Sequence, residues 1–223
     1  GDKSDLEKSF EILNAFVRAG GNFIDTANVY CKWLKGHGNC SEQIIGKWLK
    51  ESGMQGKVIV ATKGAHYSFE DPGRSRVNKE DIRMDLDESC RTLGKDEMDF
   101  YWLHRDDPEK PVEEIVDILE EMQKEGRIRY FGFSNYRTDR LKALEQCLKE
   151  RKKSGVTAVS NQWSLAGINP GTVRQVRLPF RFHPRQWDFS QNFRKWEFHI
   201  RMKRWMHPGC RRKSHRLQIF QKA

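Results

Sequence analysis

The sequence predicts an α/β fold, and three observations carry that prediction. Short apolar, β-branched segments begin near residues 22, 57, 98, 128 and 156, and one amphipathic helix pattern fills each interval between them. The intervals are 28 to 41 residues long, the length of a strand–helix–strand crossover, so the strands should run parallel in right-handed βαβ units. No strand-to-helix turn carries the G-x-G-x-x-G pattern of a dinucleotide-binding doubly wound sheet, which favours a (β/α)8 TIM barrel over that alternative. The barrel is incomplete, with about five recognisable βα units.

The elements follow in order. Residues 5–18 place Leu6, Phe10, Leu13 and Val17 on one helical face, and Gly20-Gly21 ends that helix. NFID is the first strand. Ser41 is the expected cap of the second helix, SEQIIGKWLKES, with Ile44, Ile45, Trp48 and Leu49 turned inward. KVIVATK is a short buried strand. KEDIRMDLDESCRTLG gives a third helix closed by Gly94, and MDFYWLH the next strand. VEEIVDILEEMQKEG, IRYFGFSN, RTDRLKALEQCLKERKK and VTAVSNQW continue the alternation as helix, strand, helix, strand.

The alternation stops after Asn169-Pro170-Gly171, which divides the chain into 1–171 and 172–223. The second part holds 14 Lys/Arg against 2 Asp/Glu, so the whole net charge of +10 originates there. Its Trp187, Trp196 and Trp205 recur every nine residues, a spacing that makes no single stripe on a helix or a strand. Three accounts of this tail stay open: a shifted reading frame, a divergent barrel closure, or a basic aromatic segment that binds nucleic acid or an acidic surface.

Bulk composition narrows the class. No apolar run approaches the roughly 20 residues of a membrane helix. The first residue is Gly1, and no signal-peptide core follows it, so a piece or a processed form of a longer protein is expected. Five cysteines with no C-x-x-C pair speak against a disulfide framework and for a reducing, cytoplasmic setting; Cys31 and Cys40, flanking a Gly-rich loop, are given no redox or metal role.

Ligands of parallel α/β folds bind beyond the carboxyl ends of the strands. Those ends here carry Asp25 with Tyr30 just after it, Lys63, His104 followed by Arg105 and Asp106, Ser134-Asn135, and Asn161-Gln162. Singly, each has a bland reading as a solvated or capping group. Gathered at one barrel mouth, they suit chemistry at a carbonyl. An ammonium beside a phenol favours the phenolate, so Lys63 could assist Tyr30 as a proton donor, with Asp25 fixing the lysine. His104 could donate a hydrogen bond to the carbonyl oxygen or relay a proton.

NFIDTANVY, the GNCSE loop, KVIVATK, DFYWLHRDD, GRIRYFGFSN and NQW, in order and in register, resemble the aldo-keto reductases, bacterial members with the WLHRDDP phrase above all. The resemblance covers about residues 5–171. It implies a (β/α)8 barrel, NADP(H) as cofactor, a small carbonyl substrate, and Asp25, Tyr30, Lys63 and His104 as the catalytic tetrad. Ser134, Asn135 and Gln162 fall where that family holds the nicotinamide carboxamide. The family's first strand and its last two are not recognisable. Three roles therefore remain: an NADP-dependent carbonyl reductase, an inactive truncated relative, or a binding protein with a basic tail.

Overall fold

A computed structural model describes residues 5–153 and 156–161, and the backbone of 197–204 and 215–222. Gln162 and most of the tail lie outside the described residues. The first unit contains five helices and five strands in strict alternation: α1 (Leu6–Arg18), β1 (Phe23–Asp25), α2 (Cys40–Ser52), β2 (Ile59–Gly64), α3 (Lys79–Leu93), β3 (Met98–Leu103), α4 (Val112–Lys124), β4 (Ile128–Ser134), α5 (Thr138–Glu150) and β5 (Val159–Ser160). The strands form one parallel sheet in the order β1-β2-β3-β4-β5. Sequential parallel pairing with a helix in each crossover is the construction of a (β/α)8 barrel, here carried through five units. In the tail, β6 (Glu197–Arg204) and β7 (His215–Lys222) pair antiparallel as a separate two-stranded sheet. The clustering of contacts divides the chain after Phe182, later than the change in composition at residue 172.

Helix boundaries follow from local chemistry. The Asp5 and Asn78 side chains accept from the backbone N–H of Lys8 and Asp81, capping α1 and α3. Gly53 and Gly94 end α2 and α3 in the left-handed conformation, which only glycine adopts without penalty. The cap of α2 differs from the expected one. Asn39 occupies that position without a side-chain cap bond, and Ser41 instead shares a 2.8 Å hydrogen bond with Thr26. The serine thus ties the loop after β1 to the helix start. Gly46 lets α2 lie close on α3, because a Cβ there would sit 2.2 Å from the Thr92 carbonyl oxygen.

The main core lies between sheet and helices. Ile24, Val60, Tyr101, Leu103, Phe131 and Phe133 pack against Trp48, Leu49, Ile82, Leu86, Ile115, Leu119 and Leu144, all buried. Within α2, Ile45, Trp48 and Leu49 turn inward as expected, while Ile44 is half-buried. Helix α1 contributes Phe10, Leu13 and Val17 only as half-buried contacts, and Leu6 stays exposed. The α1 helix is the outermost on this side, and Trp48 Nε1 secures it by donating to Asn14 Oδ1 at 2.9 Å.

Register decides which side chains share the other face. Ala61 pairs with Phe100 and Lys63 with Trp102; Phe100 pairs with Tyr130 and Trp102 with Gly132. Asp25 pairs with Ala61. With side chains alternating along each strand, Asp25, Lys63, His104 and Ser134 fall on one face at one edge. The pairing also runs past the strand ends: Asn28 N–H donates to the Lys63 carbonyl at 3.0 Å, and His104 N–H to the Gly64 carbonyl at 2.9 Å. The site residues are therefore held by backbone as well as by side-chain contacts.

Candidate active site

The centre of the site is Lys63, whose side chain is 3% exposed. A buried ammonium needs an acceptor for each of its three N–H groups. Lys63 finds them in the Asp25 carboxylate, the Thr26 carbonyl at 2.7 Å and the Tyr30 phenol oxygen at 3.3 Å. Its nitrogen also lies 5.0 Å from the Tyr30 ring centroid. Because an ammonium only donates, the phenol oxygen is the acceptor in that contact. The Tyr30 O–H thus remains to be donated elsewhere.

His104 stands beside the phenol, ring centroids 5.9 Å apart. Burial, followed by the charges of Lys63 and Arg105 and the neighbouring His66, lowers its pKa from 6.5 to about 3. The imidazole is therefore neutral near pH 7, which suits a hydrogen-bond donor and removes it as an acid. Its buried Nδ1 has no partner among the described residues. The tautomer with the proton on Nε2 leaves only that acceptor unsatisfied, a smaller penalty than an orphaned N–H.

Residues beyond these complete the edge. His66 is buried, with its ring 4.8 Å from that of His104. Its Nδ1 lies 3.0 Å from the Tyr67 carbonyl, and its Nε2 lies 3.3 Å from Arg105 Nη2. A carbonyl only accepts and a guanidinium only donates, so His66 is neutral with its proton on Nδ1. Burial lowers its pKa, in agreement. Tyr30, Trp33, Phe69, His66 and His104 make a closed circuit of ring contacts, and the outer pair, Trp33 and Phe69, are 50% and 47% exposed.

The loop carrying Tyr30 and Trp33 is anchored at several points. Asn28 donates to the Glu88 carboxylate at 3.0 Å, and Lys32 pairs with the same carboxylate. Cys31, at φ 78°, is joined by a disulfide to Cys40 at the start of α2. This departs from the expectation, drawn from the cysteine count, that no disulfide forms. The nine-residue separation is no C-x-x-C motif, yet the turns between them bring the Cα atoms to 5.7 Å. Cys90 and Cys147 are free and buried. On the β2 side, Asp85 accepts from Ala65 N–H at 2.9 Å and pairs with Arg76, which also donates to the His66 carbonyl at 3.0 Å.

At the end of β4, Ser134 Oγ donates to the Ser160 carbonyl at 2.8 Å. Asn135, at φ 61°, donates from Nδ2 to the His104 carbonyl at 3.1 Å. Asn161 donates to the Tyr136 carbonyl, while its buried Oδ1 has no partner among the described residues. An unused acceptor beside a serine and an exposed amide fits the primary amide of a nicotinamide, which offers two donors and one acceptor. Gln162 lies outside the described residues. No group of three or more His, Cys, Asp or Glu among the described residues could hold a metal ion. A separate groove of about 500 Å³ between α2 and α3, lined by Gln43, Lys47, Lys50 and Arg91, contains none of the site residues.

A parallel βα series with a lysine-paired phenol and a neutral histidine at its carboxyl edge defines a class of barrel proteins built for chemistry at a polarised oxygen. Comparison with known sequences narrows it. Residues 1–177 match the profile described as the Aldo/keto reductase family, and the chain belongs to that family. It is 29% identical over 184 residues to a probable aryl-alcohol dehydrogenase of Saccharomyces cerevisiae, covering 79% of this chain and 53% of that protein. It is 34% identical over 142 residues to an NADP(+) aryl-alcohol dehydrogenase of Phanerodontia chrysosporium, covering 59% and 35%. It is 34% identical over 143 residues to the aldo-keto reductase YhdN of Bacillus subtilis, covering 62% and 40%. The chain thus spans about a third to a half of these relatives' lengths, and fungi stand beside bacteria among them. No helix of the described residues is long and apolar enough to cross a membrane.

Proposed function

We propose that the chain carries the acid–base site of an NADP(H)-dependent reduction of aldehydes or ketones to alcohols. One observation carries this reading. Lys63 places all three donors and spends one on the Tyr30 oxygen, so the phenol proton is left for a third party. Carbonyl reduction requires that proton at the oxygen as the carbon gains a hydride. The nicotinamide cofactor supplies the hydride when bound.

Tyr30 donates the proton, and the Lys63 charge stabilises the phenolate that results. Asp25 and the Thr26 carbonyl keep the lysine fixed and charged. His104, neutral, donates from Nε2 to orient the carbonyl and cannot compete as the acid. Ser134 and Asn135, with Gln162 by the family resemblance, would hold the carboxamide of the nicotinamide. The choice of NADP(H) rests on the name of the Phanerodontia relative. The partner is a small carbonyl substrate rather than a membrane.

The rival reading is a catalytically silent relative. NADPH fluorescence titration separates the two. The reductase reading expects micromolar or tighter binding, about −8 kcal/mol, and aldehyde-dependent NADPH oxidation. A folded chain that binds neither NADPH nor NADH overturns it.

A further inference from the structure

The half-buried arginines Arg76, Arg127, Arg140 and Arg151 each hold a carboxylate: Asp85, Asp87, Asp106 and Asp117. Arg105, equally half-buried, has no carboxylate among the described residues. Its buried Nε has no hydrogen-bond partner there. What holds it is neutral: the His66 Nε2 at 3.3 Å and the Tyr67 ring, whose centroid lies 5.4 Å from the guanidinium carbon. A guanidinium keeps its charge at every accessible pH, and withdrawing it from water without a counter-ion is costly. The missing anion is expected to come with a ligand.

The position of this cation indicates which ligand. His104 and Tyr30 define where a carbonyl oxygen sits, and the His66 ring separates His104 from Arg105. The guanidinium is thus joined to the carbonyl point through two contacts of the His66 ring, to His104 at 4.8 Å and to Arg105 at 3.3 Å. The space above them is flanked by the exposed rings of Trp33 and Phe69, which suit a flat apolar body. We propose that Arg105 is the anion-recognising residue of the substrate site, and that the favoured substrate is an aryl aldehyde or ketone that also bears a carboxylate. The proposal rests on the carbonyl-reductase reading for the position of the carbonyl. Arg105 presents its remaining donors to the carboxylate as a fork, and the carboxylate supplies the counter-charge that the fold withholds.

The test compares 4-formylbenzoate with its methyl ester, a neutral molecule of nearly the same shape. Dissociation constants by ligand-observed NMR and kcat/KM with NADPH are measured for the full chain and for Arg105→Met and Arg105→Lys. Wild type should favour the acid about tenfold or more, the scale of a hydrogen bond to a charged group. Arg105→Met should erase that ratio while keeping the wild-type Tm, and Arg105→Lys should retain part of it, having the charge without the fork. An equal acid-to-ester ratio in wild type, or one that survives in Arg105→Met, overturns the proposal. So does a loss of NADPH affinity in Arg105→Met with the ratio intact, which would give the anion to a dinucleotide phosphate. Because the ratio is read in binding as well as turnover, acid preference without any NADPH oxidation would sink the reaction and leave the anion site standing.

Discussion

The helical layer and the carboxyl edge of the sheet treat charge in opposite ways. In the layer, each half-buried charge closes on an internal partner, as where Arg76 spans Asp81 and Asp85, or Arg140 meets Asp106 at 3.0 Å. At the edge, valences are left over: the Tyr30 proton, the His104 Nδ1, the Asn161 Oδ1 and the Arg105 Nε. The contrast is one of degree, since Arg83 Nε and Glu120 Oε1 in the helices also lack a hydrogen-bond partner among the described residues, although both side chains keep an ion pair. The difference separates residues that hold the fold from residues that await a ligand, a distinction that residue type alone does not make.

Substitutions on either side sharpen this contrast. The largest effect on rate should come from Lys63→Met, with turnover down about a hundredfold or more. Thermal stability should be little changed, since the substitution removes a buried charge and leaves Asp25 43% exposed to water. Asp85→Ala should do the reverse. It leaves Arg76 only Asp81 at 3.3 Å and the His66 carbonyl, and frees Ala65 N–H, costing about 3 kcal/mol in denaturant unfolding. Equal losses of rate and stability in both variants would erase the distinction between the two regions.

A smaller effect belongs to the loop of Tyr30. Cys31→Ser opens a short cross-linked loop and should cost at most about 3 kcal/mol under oxidising conditions and nothing under strong reduction. The last is a pH term. His104 has a folded pKa near 3, below its unfolded value of 6.5, so between these values the unfolded chain binds more protons. Stability should thus be full above pH 6.5 and fall on acidification towards pH 3, by up to about 1.4 kcal/mol per unit. The shift of His66 has the same sign. Comparing wild type with His104→Gln across that window isolates the contribution.

The βα alternation and the meeting of Asp25, Tyr30, Lys63 and His104 were legible because each lies in a contiguous signal: an apolar run, its terminating polar residue, and the helix after it. The start of β3 at Met98 and of β4 at Ile128 coincide with the sequence expectation. The strand expected from 156 shrinks to Val159–Ser160, since only Phe133 and Ser134 offer it ladder partners. What stayed hidden depends on contacts between loops. His66 follows Lys63 by three residues and Arg105 adjoins His104, so their neighbours in sequence gave no reason to join them. Their meeting is set by the parallel register that aligns the β2 and β3 ends. Cys31 and Cys40 likewise meet only after the turns between them fold back.

The most direct measurement is the turnover of Tyr30→Phe with an aryl aldehyde and NADPH, beside its NADPH affinity by fluorescence. Deleting one hydroxyl leaves the Lys63 contacts to Asp25 and Thr26 in place. The account predicts a loss of about two to four orders of magnitude in kcat, with NADPH affinity within about twofold of wild type. A Tyr30→Phe protein that turns over at the wild-type rate would contradict the assignment of the proton donor, and with it the reading of the whole edge.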